Sequence, residues 1–210
     1  NQNGESLQYV SENYINYDLS LLALNSAGTA LLHFNEDYIN ESTSKKALLS
    51  SIKLFETEQQ SSSKINILRI FEIIPNKTEE LCDLAFKYNE NCIQYFPFDL
   101  ITKEHMLNAV RRNCNLITAL YNIQNDLVSP EIVTAAVTAD WRTLVTLRDN
   151  NMQHLISYND CMKGISQDES ALGFCPQELI NIYHADRHKS AKNSLDNKLI
   201  PDELYSKILQ

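Results

Sequence analysis

Glycine and proline are scarce, four and five in 210 residues. A sandwich or barrel of many short strands needs tight turns at close intervals, and those residues supply them, so the shortage counts against both folds. No apolar run approaches the roughly 18–20 residues that cross a bilayer as a helix. No basic stretch followed by an apolar one opens the chain, as a secretory leader would. A glycine-rich phosphate loop, a Cys-x-x-Cys pair, a Gly-x-Ser-x-Gly elbow and a dinucleotide fingerprint are all missing, and no cofactor is expected. A formal charge of −9 disfavours non-specific binding to nucleic acid or to anionic membranes. The five cysteines, Cys82, Cys92, Cys114, Cys161 and Cys175, are an odd number. They read as small core residues of a reducing, cytosol-like compartment rather than as a disulfide framework.

What is present is repetition. Thr78-Glu-Glu-Leu-Cys-Asp-Leu-Ala85-Phe86, Thr102-Lys-Glu-His-Met-Leu-Asn-Ala109-Val110 and Ser129-Pro-Glu-Ile-Val-Thr-Ala-Ala136-Val137 follow one template. The template is a hydroxyl residue, any residue, glutamate, four residues, alanine, and a bulky apolar residue. An aliphatic stands eight residues past each alanine (Ile93, Ile117, Leu144), and another apolar residue three further on (Phe96, Leu120, Leu147). Self-similarity on this scale marks tandem supersecondary units.

Each unit reads as a helical hairpin. A Ser or Thr before good helix formers, or before Pro130, is a helix start whose hydroxyl can accept an orphan backbone N–H. Ile132, Val133, Ala136 and Val137 fall on one face of a 3.6-residue period. Asn89, Asn113 and Asp140, four residues past each alanine, are N-caps for a second helix. Ile101 with Met106, and Val128 with Val133, are spaced as hydrophobic staples. Alanine at the shared position lets neighbouring helices approach closely. The predicted fold is therefore all-α: tandem degenerate hairpins of about 24–28 residues, stacked as a short solenoid-like array in a single domain over 1–210.

Along the chain, Asn3, Leu7 and Val10 match Asn89, Ile93 and Phe96, so the sequence opens on the second helix of a unit. That predicts excision from a longer chain. Asn16 caps the unit that contains Ala23, Leu24, Leu31 and Phe34. The next unit slips register around Ser44, Leu48, Ser51 and Ile52, and a polar insertion near 56–64 reads as an exposed loop or frayed extension. Cys161 and Gly164 open a further unit that closes on Cys175. A divergent C-terminal capping unit spans 177–210, with His184, Ala185 and His188 at its inward positions and a last helix start near Leu199.

Three features could carry function. His184 and His188, four apart on one helix face, could offer two imidazoles to zinc, although no third ligand lies nearby in sequence. With Cys161 or Cys175 they could also be drawn as a thiol–imidazole pair; the competing reading is a capping helix with polar inner edges. Lys87, Arg111 and Arg112 follow the first-helix apolar position in successive units. They either complement helix C-termini or line a groove for an acidic peptide or phosphate. Trp141 sits just past its cap, as an interface anchor or packed over a neighbouring unit.

The segments Asn3-Gly4-Glu-Ser-Leu7-Gln-Tyr9-Val10 and Thr78-Glu-Glu-Leu-Cys82 through Asn89-Glu-Asn-Cys-Ile93-Gln-Tyr95-Phe96-Pro97 resemble an uncharacterised bacterial repeat family. Its units read roughly Asn-Gly-x-Ala-Leu-x-Tyr-Val-Pro, then Thr-x-Glu-x-Cys-x-x-Ala-Val-x-x-Asn-Gly, and the glycine after the cap Asn is kept only at Gly4. The resemblance implies a helical-repeat fold with no assigned catalytic residues, among bacterial proteins that include candidate secreted effectors. The expectation is a non-enzymatic scaffold that binds a protein partner inside a host cell. Two alternatives stand beside it: an enzyme or modifying-domain fragment with a site around Cys161, Cys175, His184 and His188, and a spacer between other domains.

Overall fold

The computed structural model describes residues 4–58, 61–123 and 125–196. Among them every regular element is helical and no strand occurs. The chain divides into two compact units, Asn1–Leu127 and Val128–Gln210.

The first unit holds α1 (Tyr17–Ser26), α2 (Glu41–Glu58), α3 (Ser61–Ile73), α4 (Glu79–Tyr88), α5 (Lys103–Arg112) and α6 (Leu116–Ile123). Six-residue 3-10 turns, Gly4–Tyr9, Gly28–His33 and Glu90–Tyr95, take the place of some second helices. Six residues at a rise of about 2.0 Å cover about 12 Å, as do eight α-helical residues at about 1.5 Å. A six-residue 3-10 turn and the eight-residue α6 therefore cover the same length. The polar run expected as a loop is helical for Glu56–Glu58, at the end of α2, and for 61–64, at the start of α3. Long-range contacts hold this polar run in helices: Ser63 is buried, Lys64 donates to Glu90, and Glu56 accepts the Tyr88 hydroxyl.

The second unit holds α7 (Pro130–Ala139), α8 (Thr143–Asp149), α9 (Tyr158–Gln167) and α10 (Gln177–Asp196), with a 3-10 turn at Glu169–Phe174. α8 stops where Asn151 takes a left-handed conformation, φ 60°. The Met152 N–H then bonds Leu147 O at 2.7 Å and the Asn151 N–H bonds Arg148 O at 3.0 Å. This is a Schellman ending with asparagine in the role usually filled by glycine. The expected helix start near Leu199 lies outside the described residues.

The template positions are the core. Ala85, Ala109 and Ala136 are fully buried, and Ala23 and Gly164 are buried as well. So are Leu31, Ile93, Ile117 and Leu144, each contributing about 1.5–3 kcal/mol of apolar transfer. Helix ends recur in detail. The N–H groups of Ala27, Asn89, Asn113, Asp140 and Asp168 bond the carbonyls of Ala23, Ala85, Ala109, Ala136 and Gly164 at 2.8–3.0 Å. In four of these five the Asn or Asp side chain then accepts the N–H two residues on, at Asn91, Asn115, Arg142 and Ser170.

Caps at the first helices divide by chemistry. Thr102 and Ser157 close reciprocal capping boxes, with His105 and Asp160 reaching back from the third helical position. Asn40 and Thr43 exchange the same pair of bonds at 2.9 and 3.1 Å. Thr78 and Ser129, expected to cap through their hydroxyls, make no such bond, and both hydroxyls are buried without a partner. Leu81 and Ile132 hold the third helical position in those helices. Neither can return the bond, so the box has no second half.

Small residues set the closest approaches. A β-carbon on Gly28 would overlap the carbonyl oxygen of Ala47 and the hydroxyl of Ser51, so the Gly28–His33 turn presses backbone to backbone on α2. Gly4 meets the carbonyl of Ala23 in the same way.

Candidate functional site

The side chains singled out from sequence fall into two groups, one built into the fold and one left on the surface. Arg112 belongs to the first. Its guanidinium lies 2.9 Å from a carboxylate oxygen of Glu90, donates to Phe86 O at 2.9 Å and to Lys87 O at 3.3 Å, and stacks over the Phe86 ring. It completes the exposed C-terminal carbonyls of α4 rather than those of its own helix. Glu90 also receives Lys64 Nζ at 2.8 and 3.0 Å. Burial pushes its carboxyl upward, but the Lys64 bond, a backbone N–H and the charges of Lys64 and Arg112 outweigh that and hold it below the usual range. Lys87 and Arg111 are exposed, Lys87 over the Tyr88 ring.

Trp141 also packs internally. Its backbone N–H donates to Gln167 Oε1 at 2.9 Å, and the centroid of its half-buried ring lies 5.9 Å from that of Phe174. Arg148 covers Phe174 at 4.4 Å. These contacts pack the Trp141 ring within the Val128–Gln210 unit.

Cys161 and Cys175 are brought together in the core. Both thiols are buried, and Cys175 Sγ donates to Ala171 O at 3.5 Å. The Cys175 thiol, together with burial, pushes the Cys161 thiol far up. The neighbouring Cys161 thiol in turn holds Cys175 lower. His184 and His188 are exposed on α10, contrary to the inward placement expected of them with Ala185. α10 buries none of its described side chains through Ser190, so its period has no core to face there. Among the described residues no hydrogen bond joins either imidazole to either thiol, and no group of three or more His, Cys, Asp or Glu side chains is placed to hold a metal ion. Cys82 and Cys92, free like the others, are raised to about 12 by burial.

A constellation that sequence spacing did not reveal lies between α4 and α5. His105 Nε2 is 3.1 Å from Asp83 Oδ1 and its Nδ1 is 3.0 Å from Thr102 Oγ1. The imidazole is wedged edge-on between Phe86 and Phe96, at the wall of a cavity of about 250 Å³. Hydroxyl, imidazole and carboxylate in a row could polarise the hydroxyl, but Thr102 Oγ1 also accepts the His105 N–H at 3.1 Å. The arrangement is a helix cap anchored by Asp83, 22 residues earlier.

A third feature lies along α1 and α2. Two adjoining depressions, about 280 and 440 Å³, share Asn25, Ser50 and Lys53. Lys46 and Leu49 line one and Leu54 the other, while Glu5, on the far side, holds Thr29 Oγ1 at 3.2 Å. No helix among the described residues is long and apolar enough to cross a membrane. No family model matches the chain, and no curated protein or solved structure matches it either.

Proposed function

We propose that the chain is a helical-repeat scaffold whose stacked hairpins present an extended surface to a protein partner. One observation carries the repeat reading. The carbonyl of the residue after the template alanine accepts a side chain from one repeat later: Ser50 Oγ to Leu24 O at 2.8 Å, Arg112 to Phe86 O at 2.9 Å, and Gln167 Nε2 to Val137 O at 2.8 Å. Those bonds span 26, 26 and 30 residues. In a solenoid each unit touches its neighbours only, so distant contacts gather at one repeat length. Large apolar side chains left in solvent, among them Leu22, Leu49, Leu54, Ile65 and Phe98, support a binding role. The enzyme reading has less to stand on, because Cys161 and Cys175 are both buried while His184 and His188 are exposed, and no hydrogen bond among the described residues joins thiol to imidazole. The resemblance to bacterial repeats extends the proposal to an effector delivered into a host cell, where free thiols persist.

The test is affinity capture from host lysate, identification of the partner, and reconstitution from two purified proteins. Binding that Lys87→Glu with Arg111→Glu, or Leu49→Asp with Leu54→Asp, weakens at unchanged melting temperature supports the scaffold. A partner indifferent to every exposed substitution, or turnover that depends on Cys161, refutes it.

A further inference from the structure

We infer that the outer stripe of α2 is a docking site for an amphipathic helix carrying acidic side chains on either side of an aliphatic one, an inference that rests on the scaffold reading. On α2, Ser42, Lys46, Leu49 and Lys53 recur at intervals of three and four, which places them on one face. Buried Thr43, Ser44, Ala47, Leu48, Ser51 and Ile52 occupy the opposite face, against the core. The neighbouring charges are already committed. Lys45 pairs with Glu80 at 2.6 Å, Glu56 accepts the Tyr88 hydroxyl at 2.7 Å, and Glu5 holds Thr29. Lys46 and Lys53 make no ion pair among the described residues, in a chain whose net charge is −9. Leu49, 47% exposed, stands between them, with Leu54 at 42% beside the second depression.

Charge and shape together select the occupant. Two uncompensated ammonium groups seven residues apart lie about 10.5 Å apart along the axis, two helical turns. A second helix laid along α2 meets them with carboxylates at its own positions i and i+7. Its aliphatic side chain at i+3 or i+4 then faces Leu49 and enters the hollow lined by Asn25 and Ser50. A peptide that docks by strand addition needs a sheet edge, and the described residues offer no strand to extend. Free phosphate would satisfy the lysines but leave Leu49 and Leu54 in water.

The experiment uses the full chain and a fluorescein-labelled helical peptide with Glu at i and i+7 and Leu at i+3 and i+4, read by anisotropy. Lys46→Glu with Lys53→Glu should weaken binding by about tenfold or more, and a peptide with Lys in place of Glu should recover affinity for that variant. Leu49→Asp should weaken the original peptide with the lysines intact. Both variants change only exposed or half-exposed positions, and their folding is checked by circular dichroism. Equal binding to wild type and charge-reversed chain overturns the inference, as does loss of peptide binding to millimolar inorganic phosphate with Leu49→Asp silent, which would mark a phosphate site. A reconstituted partner that binds while the acidic peptide does not would sink this inference alone and leave the scaffold standing.

Discussion

Removing the Glu90 carboxylate should destabilise the Asn1–Leu127 unit, and the size of the loss follows from its surroundings. Its side chain is 8% exposed and takes two bonds from Lys64 and one from Arg112, each at 3.0 Å or less. A hydrogen bond to a charged group contributes about 1.5–3 kcal/mol, and breaking a buried pair costs about 3–5 kcal/mol because a charge is stranded. Here the cations can turn to water, since the Lys64 and Arg112 side chains are 35% and 37% exposed. The expected cost of Glu90→Ala is therefore at the lower end, about 2–3 kcal/mol. Urea unfolding followed at 222 nm measures it, and a double-mutant cycle with Lys64→Ala isolates the pair, with a coupling of about 1 kcal/mol or more expected. The pH dependence has a definite sign. Glu90 is held below its ordinary value of 4.5, so its contribution is complete above that value and is lost as pH falls through the lower folded value. Glu90→Gln should flatten that part of the acid limb. Additive single substitutions with no coupling, or an acid limb unchanged by Glu90→Gln, would refute the argument that the pairing outweighs burial.

Gly28→Ala should cost about 2–4 kcal/mol by thermal melting, because the new methyl meets the Ala47 backbone, which cannot step aside. Gly164→Ala should cost less, about 1 kcal/mol, since its nearest obstacle is Leu144 Cδ1 at 2.6 Å, the tip of a side chain that can change rotamer; equal penalties would contradict the packing described. Asp160 is fully buried and accepts Ser157 N–H at 2.9 Å, Ser157 Oγ at 2.6 Å and Thr134 Oγ1 at 2.5 Å. Asp160→Ala should lower stability by about 2–3 kcal/mol in denaturant titration, whereas Thr134→Val, removing one of the three bonds, should lower it by about 1 kcal/mol. Thiol titration with a chromogenic disulfide at pH 8 should label Cys114 quickly, as the half-buried one of the five, and Cys82 and Cys92 only after guanidinium is added. Prompt native labelling of Cys82 or Cys92 would contradict their burial.

How much of this was legible in the sequence depends on whether a feature is local. The first helices were: hydroxyl, glutamate and alanine in fixed order place α4, α5 and α7, and the recurring Asn or Asp marks where each ends. The hairpins' second halves were legible only as apolar spacing, because Ile93 and Phe96 meet the core from a 3-10 turn much as Ile117 and Leu120 do from α6. The length of α2 was hidden. Glu56 to Lys64 has no apolar period, yet Glu56 finds Tyr88 at 32 residues and Lys64 finds Glu90 at 26. The candidate sites were less legible still. Arg112 looks like an edge residue until Glu90 and the α4 carbonyls are placed beside it, and the His105–Asp83 link spans 22 residues that spacing rules do not connect. The free lysines of α2 could not be told from Lys45, because only the fold shows which lysine has found a glutamate.

On the proposed repeat reading, targeting of the backbone also explains why the units differ in letters while the hydrogen-bond geometry recurs. The acceptor after the template alanine is a carbonyl, present whatever residue stands there: Leu24, Phe86 and Val137 serve equally. Only the donor must be chosen, and serine, arginine and glutamine all reach it, since a carbonyl in the last turn of a helix has no intrahelical partner and accepts from several directions. A side chain paired to a side chain would tie two positions to each other; a side chain paired to the main chain ties one. Drift at the acceptor position is then limited only by burial, which Leu, Phe and Val satisfy alike. The same logic fixes what cannot drift. The carbonyl must come within reach, and that depends on a small residue immediately before it, which is why Ala23, Ala85 and Ala136 read more clearly than any of the groups that bond across them.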